Sequence, residues 1–202
     1  MPKIAIFDYG AGNIFNLQKS IESIGSEVYV ISNFNNIQFY DGLFLPGVGN
    51  FDPAIKLIHN QHYNKSFHDI LTQIPIFGIC LGLELLFDKS EEGKEQGLHV
   101  VEGDVVHLPI TMTVPHMGWN NILIEKHSNL LDGIDDNSWV YFAHSYMVRP
   151  KNDRIIQAKF DYGDKITAMI EQRNLFGTQF HPEKSSITGI KILQNFLREC
   201  KK

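Results

Sequence analysis

Cysteine is almost missing from this chain, with two in 202 residues. That is too few for a disulfide scaffold, and it points to a reducing compartment. No long basic run occurs, and 18 Lys and Arg stand against 23 Asp and Glu, a formal net charge of −5. A nucleic-acid surface is therefore not expected. The longest apolar stretch, around residues 74 to 87, contains Glu84 and falls short of a membrane span. The opening segment Met1-Pro2-Lys3-Ile4-Ala5-Ile6-Phe7 gives way to Asp8-Tyr9-Gly10 too early for a signal peptide and reads as a first strand. A cytoplasmic protein is the expectation. No internal repeat, low-complexity segment or linker breaks residues 1–202, which read as one domain, and a domain of this size buries about 70% of its unfolded surface. With 43% hydrophobic and 20% charged residues, the composition is that of an ordinary globular protein.

What is present centres on Cys80. The run Pro75-Ile76-Phe77-Gly78-Ile79-Cys80-Leu81-Gly82 sets it between two glycines where an apolar strand should turn sharply into a helix. Such an elbow exposes a nucleophile, its glycines leave room for strand and helix, and the next amide, that of Leu81, can point at a developing oxyanion. A second segment, Gln179-Phe180-His181-Pro182-Glu183-Lys184-Ser185, adds an imidazole and a carboxylate. Proline biases His181 toward extended backbone, and residues two apart then project to one side. Glu183 is thus placed to hold the His181 ring while its other nitrogen faces Cys80. A free thiol has a pKa of about 8.5 and is only a few per cent thiolate at neutral pH. A helix N-terminus and an imidazole both favour the thiolate, the imidazole can protonate a leaving amine, and the carboxylate fixes its tautomer. Cys80, His181 and Glu183 read together as a triad for acyl transfer through a thioester. A cysteine without such context is ordinarily inert core, which is the reading for Cys200 in the C-terminal helix.

Strand and helix candidates alternate through the first half: Lys3 to Asp8, a helix over Asn13 to Ile24 with Gly25 as its C-cap, then strands Glu27 to Ile31 and Gly42 to Leu45. Helical segments near 53 to 73 lead into the strand ending at Cys80. This predicts a mainly parallel, buried α/β sheet. The second half turns β-rich, with strands expected at Val100 to Leu108, Asn121 to Glu125, Val140 to Ser145, Ile155 to Phe160, Lys165 to Glu171 and Phe176 to Phe180. Antiparallel pairing is expected there, followed by a helix over Ile187 to Cys200 with Ile190, Leu193, Phe196 and Leu197 on its apolar face.

Pro46-Gly47-Val48-Gly49-Asn50-Phe51 follows an apolar strand, and its glycines let bare backbone approach a ligand. Ligands of open α/β sheets sit beyond the carboxyl ends of the strands, so this loop and the Cys80 elbow should share one crevice. The Val48 N–H is then the second candidate oxyanion donor. Gly10-Ala11-Gly12 begins a dinucleotide fingerprint, but Phe15 stands at the third glycine position, and a nucleotide cofactor is rejected. His59, His62 and His68 lie close in sequence without the cysteines or carboxylates that would complete a metal site, and they read as solvated helix histidines.

These blocks, with Asp8-Tyr9-Gly10-Ala11-Gly12-Asn13, Pro115-His116-Met117-Gly118-Trp119-Asn120 and Tyr141-Phe142-Ala143-His144-Ser145-Tyr146, run in order through essentially the whole chain. They resemble the class I, triad-type glutamine amidotransferases, and within them the glutaminase subunits of imidazole glycerol phosphate synthases. The resemblance implies a three-layer, flavodoxin-like fold, L-glutamine as substrate, no metal and no organic cofactor. It also implies a (βα)₈-barrel cyclase as heterodimeric partner, which forms imidazole glycerol phosphate and an aminoimidazole ribonucleotide in histidine biosynthesis. Matched residue by residue, Gly49, Glu92, Ser145 and Tyr146 fall at substrate contacts, and Asn13, Asn16, Trp119, Tyr141 and Lys184 at the interface. One departure stands out: the family's Gly-Met-Gln after the nucleophile is Gly82-Leu83-Glu84 here, an acid where an amide meets glutamine. Two other readings stay open at this point. One is a paralogue feeding ammonia to another synthase, such as one that amidinates a surface sugar; the other is a stand-alone cysteine peptidase or γ-glutamyl hydrolase.

Overall fold

The computed structural model describes residues 1–60 and 66–200. The elements in chain order are β1 (Lys3–Phe7), α1 (Ile14–Ser23), β2 (Glu27–Ile31), β3 (Gly42–Gly47), α2 (Phe51–Asn60), α3 (Phe67–Leu71), β4 (Ile76–Cys80), α4 (Leu81–Glu84), β5 (Lys89–Ser90), β6 (Gly103–His107), β7 (His116–Asn121), β8 (Leu123–Ile124), β9 (Trp139–His144), β10 (Tyr146–Pro150), β11 (Ile156–Asp161), β12 (Lys165–Gln172), β13 (Leu175–Thr178) and α5 (Ser186–Glu199). Eight strands form the main sheet in the order β2-β1-β3-β4-β13-β12-β11-β8. The pairs from β2 to β13 are parallel and those from β13 to β8 antiparallel. Smaller sheets join β10-β6-β5 and β7-β9.

The three layers follow from strand alternation. Ile4 and Ile6 of β1 pack with Phe44, Phe77, Leu17, Ile21 and Phe196 on the α1 and α5 side. Ala5 and Phe7, one residue out of phase, pack with Leu43, Leu45, Ile55 and Ile58 on the α2 side. Gly25, at φ +87°, ends α1 as expected. Among the described residues no helix is long and apolar enough to cross a membrane. His62 lies outside the described residues, while His59 and His68 sit on α2 and α3.

Four sequence expectations need correction. The third strand runs on to Gly47, because Pro46 and Gly47 pair in register with Ile79 and Cys80 of β4. The strand expected at Asn121 to Glu125 shrinks to β8, while Asn121 ends β7, a strand of a different sheet that begins at His116. β10, expected by no local pattern, pairs with β6. The buried face of α5 carries Ile192 rather than Ile190, and it includes Asn195, whose Nδ2 donates to the carbonyls of Leu130 and Asp132.

Candidate active site

Cys80 closes β4 and opens α4 with φ +53°, a left-handed conformation unusual for a residue with a side chain. Close packing on both sides makes that turn. A Cβ built on Gly78 would lie 2.9 Å from the Leu83 Cα, and one on Gly82 only 1.8 Å from the Leu45 carbonyl oxygen. Backbone approach therefore requires glycine on each side of Cys80, as the elbow motif predicts.

His181 adopts the extended backbone expected before proline, and Pro182–Lys184 then form a 3₁₀ turn rather than continuing straight. Through that turn the Glu183 carboxylate receives a 2.9 Å hydrogen bond at Oε1 from His181 Nδ1, both side chains being almost wholly enclosed. An acceptor at Nδ1 fixes the neutral ring's proton there, leaving Nε2 as the basic nitrogen. The His181 N–H donates to the Tyr141 carbonyl at 2.9 Å, and Ser185 Oγ ties the turn to β9 by accepting from the Tyr141 N–H.

Cys80 and His181 border one crevice of about 350 Å³. Val48, Gly49, Leu81, Glu84, Glu92, Ser145, Tyr146 and Lys184 line it too, so every residue matched to a substrate contact is gathered there. Glu183 stands behind His181 and does not reach the crevice wall. Gly49 has φ +105° with open space around it, so its glycine serves the backbone turn alone. Glu92 Oε2 accepts from the Phe51 N–H at 2.7 Å, and Glu84 Oε1 accepts from Gln179 Nε2 at 2.8 Å.

The thiol departs from expectation. Burial pushes the Cys80 pKa well above its ordinary value; Glu84 adds to the rise, and the Leu81 backbone N–H opposes it. The expected help from a helix N-terminus is small, because α4 is a single turn. The sulfur donates to the Ala143 carbonyl at 3.7 Å. Tyr9 is held above its usual pKa chiefly by burial, then by Cys80 and Glu84. Its hydroxyl donates to the Pro46 carbonyl at 2.9 Å, bracing the strand end that leads to Val48. Tyr9→Phe should lower stability by about 1 kcal/mol, read from the urea midpoint at unchanged slope; no change would show that the bond carries nothing.

Sequence reasoning missed His144 and Ala143, which also line the crevice. The His144 Nδ1–H donates to the Tyr146 carbonyl at 2.7 Å, so its Nε2 accepts, at 3.2 Å, from Nδ1 of His116. Burial drives both imidazoles down, His116 to about 4 and His144 to about 3, and both are neutral at neutral pH. The signal for this pair is the β7-β9 register, His116 opposite His144, which no local pattern discloses. The other face of this ribbon pairs Trp119 with Tyr141 and Met117 with Ala143. Trp119 is 49% exposed, which excludes a core position for it, and its ring meets Tyr141 edge-on at 6.0 Å. Lys184 Nζ lies 5.8 Å from the Tyr141 ring centre. Asn16 and Phe15 are exposed on α1, and Asn13 is half-buried at its start.

Residues 5–200 match the family described as Glutamine amidotransferase class-I. A protein of Prochlorococcus marinus (strain MIT 9312), described as imidazole glycerol phosphate synthase subunit HisH, is 46% identical over 201 residues, covering 98% of each chain. A protein of the same description from Aquifex aeolicus (strain VF5) is 39% identical over 203 residues, 99% of this chain and 98% of that one. Among solved structures, one described as a glutamine amidotransferase superposes with a TM-score of 0.75, covering 98% of this chain and 99% of that one at 16% identity. That likeness concerns the fold alone.

Proposed function

The chain belongs to the class-I glutamine amidotransferase family, and from that membership we infer that it is the glutaminase half of an imidazole glycerol phosphate synthase. It hydrolyses L-glutamine to glutamate and ammonia and feeds the ammonia to a cyclase partner in histidine biosynthesis. The observation that carries the chemistry is one crevice bordered by a strained Cys80 and by a His181 whose tautomer Glu183 fixes. Cys80 attacks the side-chain carboxamide carbon, and His181 Nε2 takes the thiol proton and returns it to the departing ammonia. Water then adds to the glutamyl thioester, giving up its proton to His181, and glutamate leaves as the sulfur recovers that proton. The Leu81 and Val48 amides receive the oxyanion, such donors being worth about 3 kcal/mol each. Gly49, Glu84, Glu92, Ser145 and Tyr146 hold the amino-acid end, the carboxylates suiting its ammonium.

Ammonia released into water is protonated and lost, so the crevice works only when covered. The partner is a (βα)₈-barrel cyclase that takes ammonia through its interior, and it seats on Asn13, Asn16, Trp119, Tyr141 and Lys184. Exposed Trp and Tyr are favoured interface anchors. Glutamate release should rise strongly when the candidate cyclase and its ribonucleotide acceptor are added, and the pair should rescue a histidine auxotroph. Failure of rescue despite folded protein would favour a paralogue serving another synthase, and partner-independent hydrolysis of peptides would favour a stand-alone hydrolase. Trp119→Ala should weaken cyclase binding about tenfold or more without moving the thermal midpoint, as measured by titration calorimetry and scanning calorimetry; unchanged affinity would remove Trp119 from the interface.

A further inference from the structure

Glu84 is a buried acid with an open side. It follows Cys80 by four residues, at the end of α4, and both residues border the crevice. It is 5% exposed, yet it lines the crevice. Gln179 occupies Oε1, leaving Oε2 without a partner among the described residues. Glu92 borders the same crevice, and Phe51 commits only its Oε2. The α-ammonium of glutamine is already assigned to these two carboxylates, and we propose that its capture expels a proton from Glu84.

The inference rests on the glutaminase reading and extends it to how this site recognises its substrate. Among the described residues, the charge surroundings of Glu84 hold no cation paired with it. Cys80 on its own segment, Tyr9 beyond β1, Glu92 beyond β5 and Tyr146 on β10 all couple to it, and each is neutral or acidic. His144 and His181 share the crevice, and Lys184, its one fixed cation among the described residues, holds its ammonium beside the Tyr141 ring. Burial first, with Glu92 adding, lifts the Glu84 carboxyl to about 8 against the bond from Gln179. At pH 7 such an acid is roughly nine-tenths protonated. An arriving ammonium reverses the balance, because it favours the ionised form of a carboxyl within reach. It also cancels the repulsion that an ionised Glu84 exerts on the Cys80 thiolate.

The test is calorimetric titration of L-glutamine into the cyclase complex carrying Cys80→Ala, which binds without turnover, in two buffers of different ionisation enthalpy. Close to one proton should leave per glutamine at pH 7, and Kd should fall roughly eightfold between pH 7 and 8.5 as Glu84 ionises beforehand. With Glu84→Gln added, glutamine should bind with no proton release and no such pH dependence. Glutaramic acid, which lacks the amino group, should release none in either protein. Zero release, proton uptake, or a release that survives Glu84→Gln would overturn the proposal while leaving glutamine binding intact. Absence of any glutamine heat at every pH would overturn the glutaminase reading and this proposal with it.

Discussion

Cys80→Ala should lower glutamine hydrolysis by roughly 10⁴-fold or more, while cyclisation driven by added ammonia continues in the assembled complex. The expectation follows from what the sulfur alone supplies. Without it no thioester forms, and His181 and Glu183 have no thiol proton to move. On the proposed mechanism the backbone amides of Leu81 and Val48 remain, but with nothing to attack the carboxamide no oxyanion arises for them to receive. His181→Ala should cost nearly as much, and the double variant little more, because residues acting as one unit are not additive. Glutamate release by the complex, with acceptor present, is the measurement. Undiminished turnover in Cys80→Ala would remove the nucleophile assignment, whereas loss of the ammonia-driven reaction as well would point to a disturbed complex.

Gly82→Ala should be the most damaging small substitution, destabilising the chain by about 4 kcal/mol or preventing folding. The added Cβ meets the Leu45 carbonyl oxygen at 1.8 Å, and that oxygen belongs to backbone in the middle of β3. Neither side can yield easily. β3 is fixed by parallel pairing with β1 and β4, and α4 is anchored by the turn at Cys80. Gly49→Ala offers the contrast, since its Cβ would meet nothing within 4 Å and the strain of φ +105° is the whole cost. Urea denaturation of the two variants should separate them, and a loss below about 1 kcal/mol for Gly82→Ala would show that β3 and α4 part more readily than packed backbone should.

Much of this architecture is legible in local sequence, and the exceptions share a cause. β1, α1 and β2 stand where the sequence places them: β1 is an apolar run buried on both faces, and α1 buries the single face of Leu17 and Ile21 before Gly25. The Cys80 elbow is legible because its glycines are imposed by backbone contact. β10 is not, since Tyr146–Pro150 finds its partner in β6, far off in sequence, and carries a proline at its end. The rotated face of α5 depends on the carbonyls of Leu130 and Asp132, which give the amide of Asn195 a reason to be buried. In the site, residue types and their gathering in one crevice could be anticipated. The state of the thiol could not, because its burial and the nearness of the Glu84 carboxyl are properties of the assembled environment, as is the His116–His144 pair.

The glycine-locked elbow also constrains how proteins built on it can diverge. A sulfur held between two positions that tolerate no side chain cannot be shifted by gradual substitution, since each first step meets backbone. Innovation is left to the surrounding walls, where an acid such as Glu84 can change the charge that meets a guest while the reacting atom stays put. Lineages sharing this scaffold should therefore differ in the company their nucleophile keeps far more than in its address.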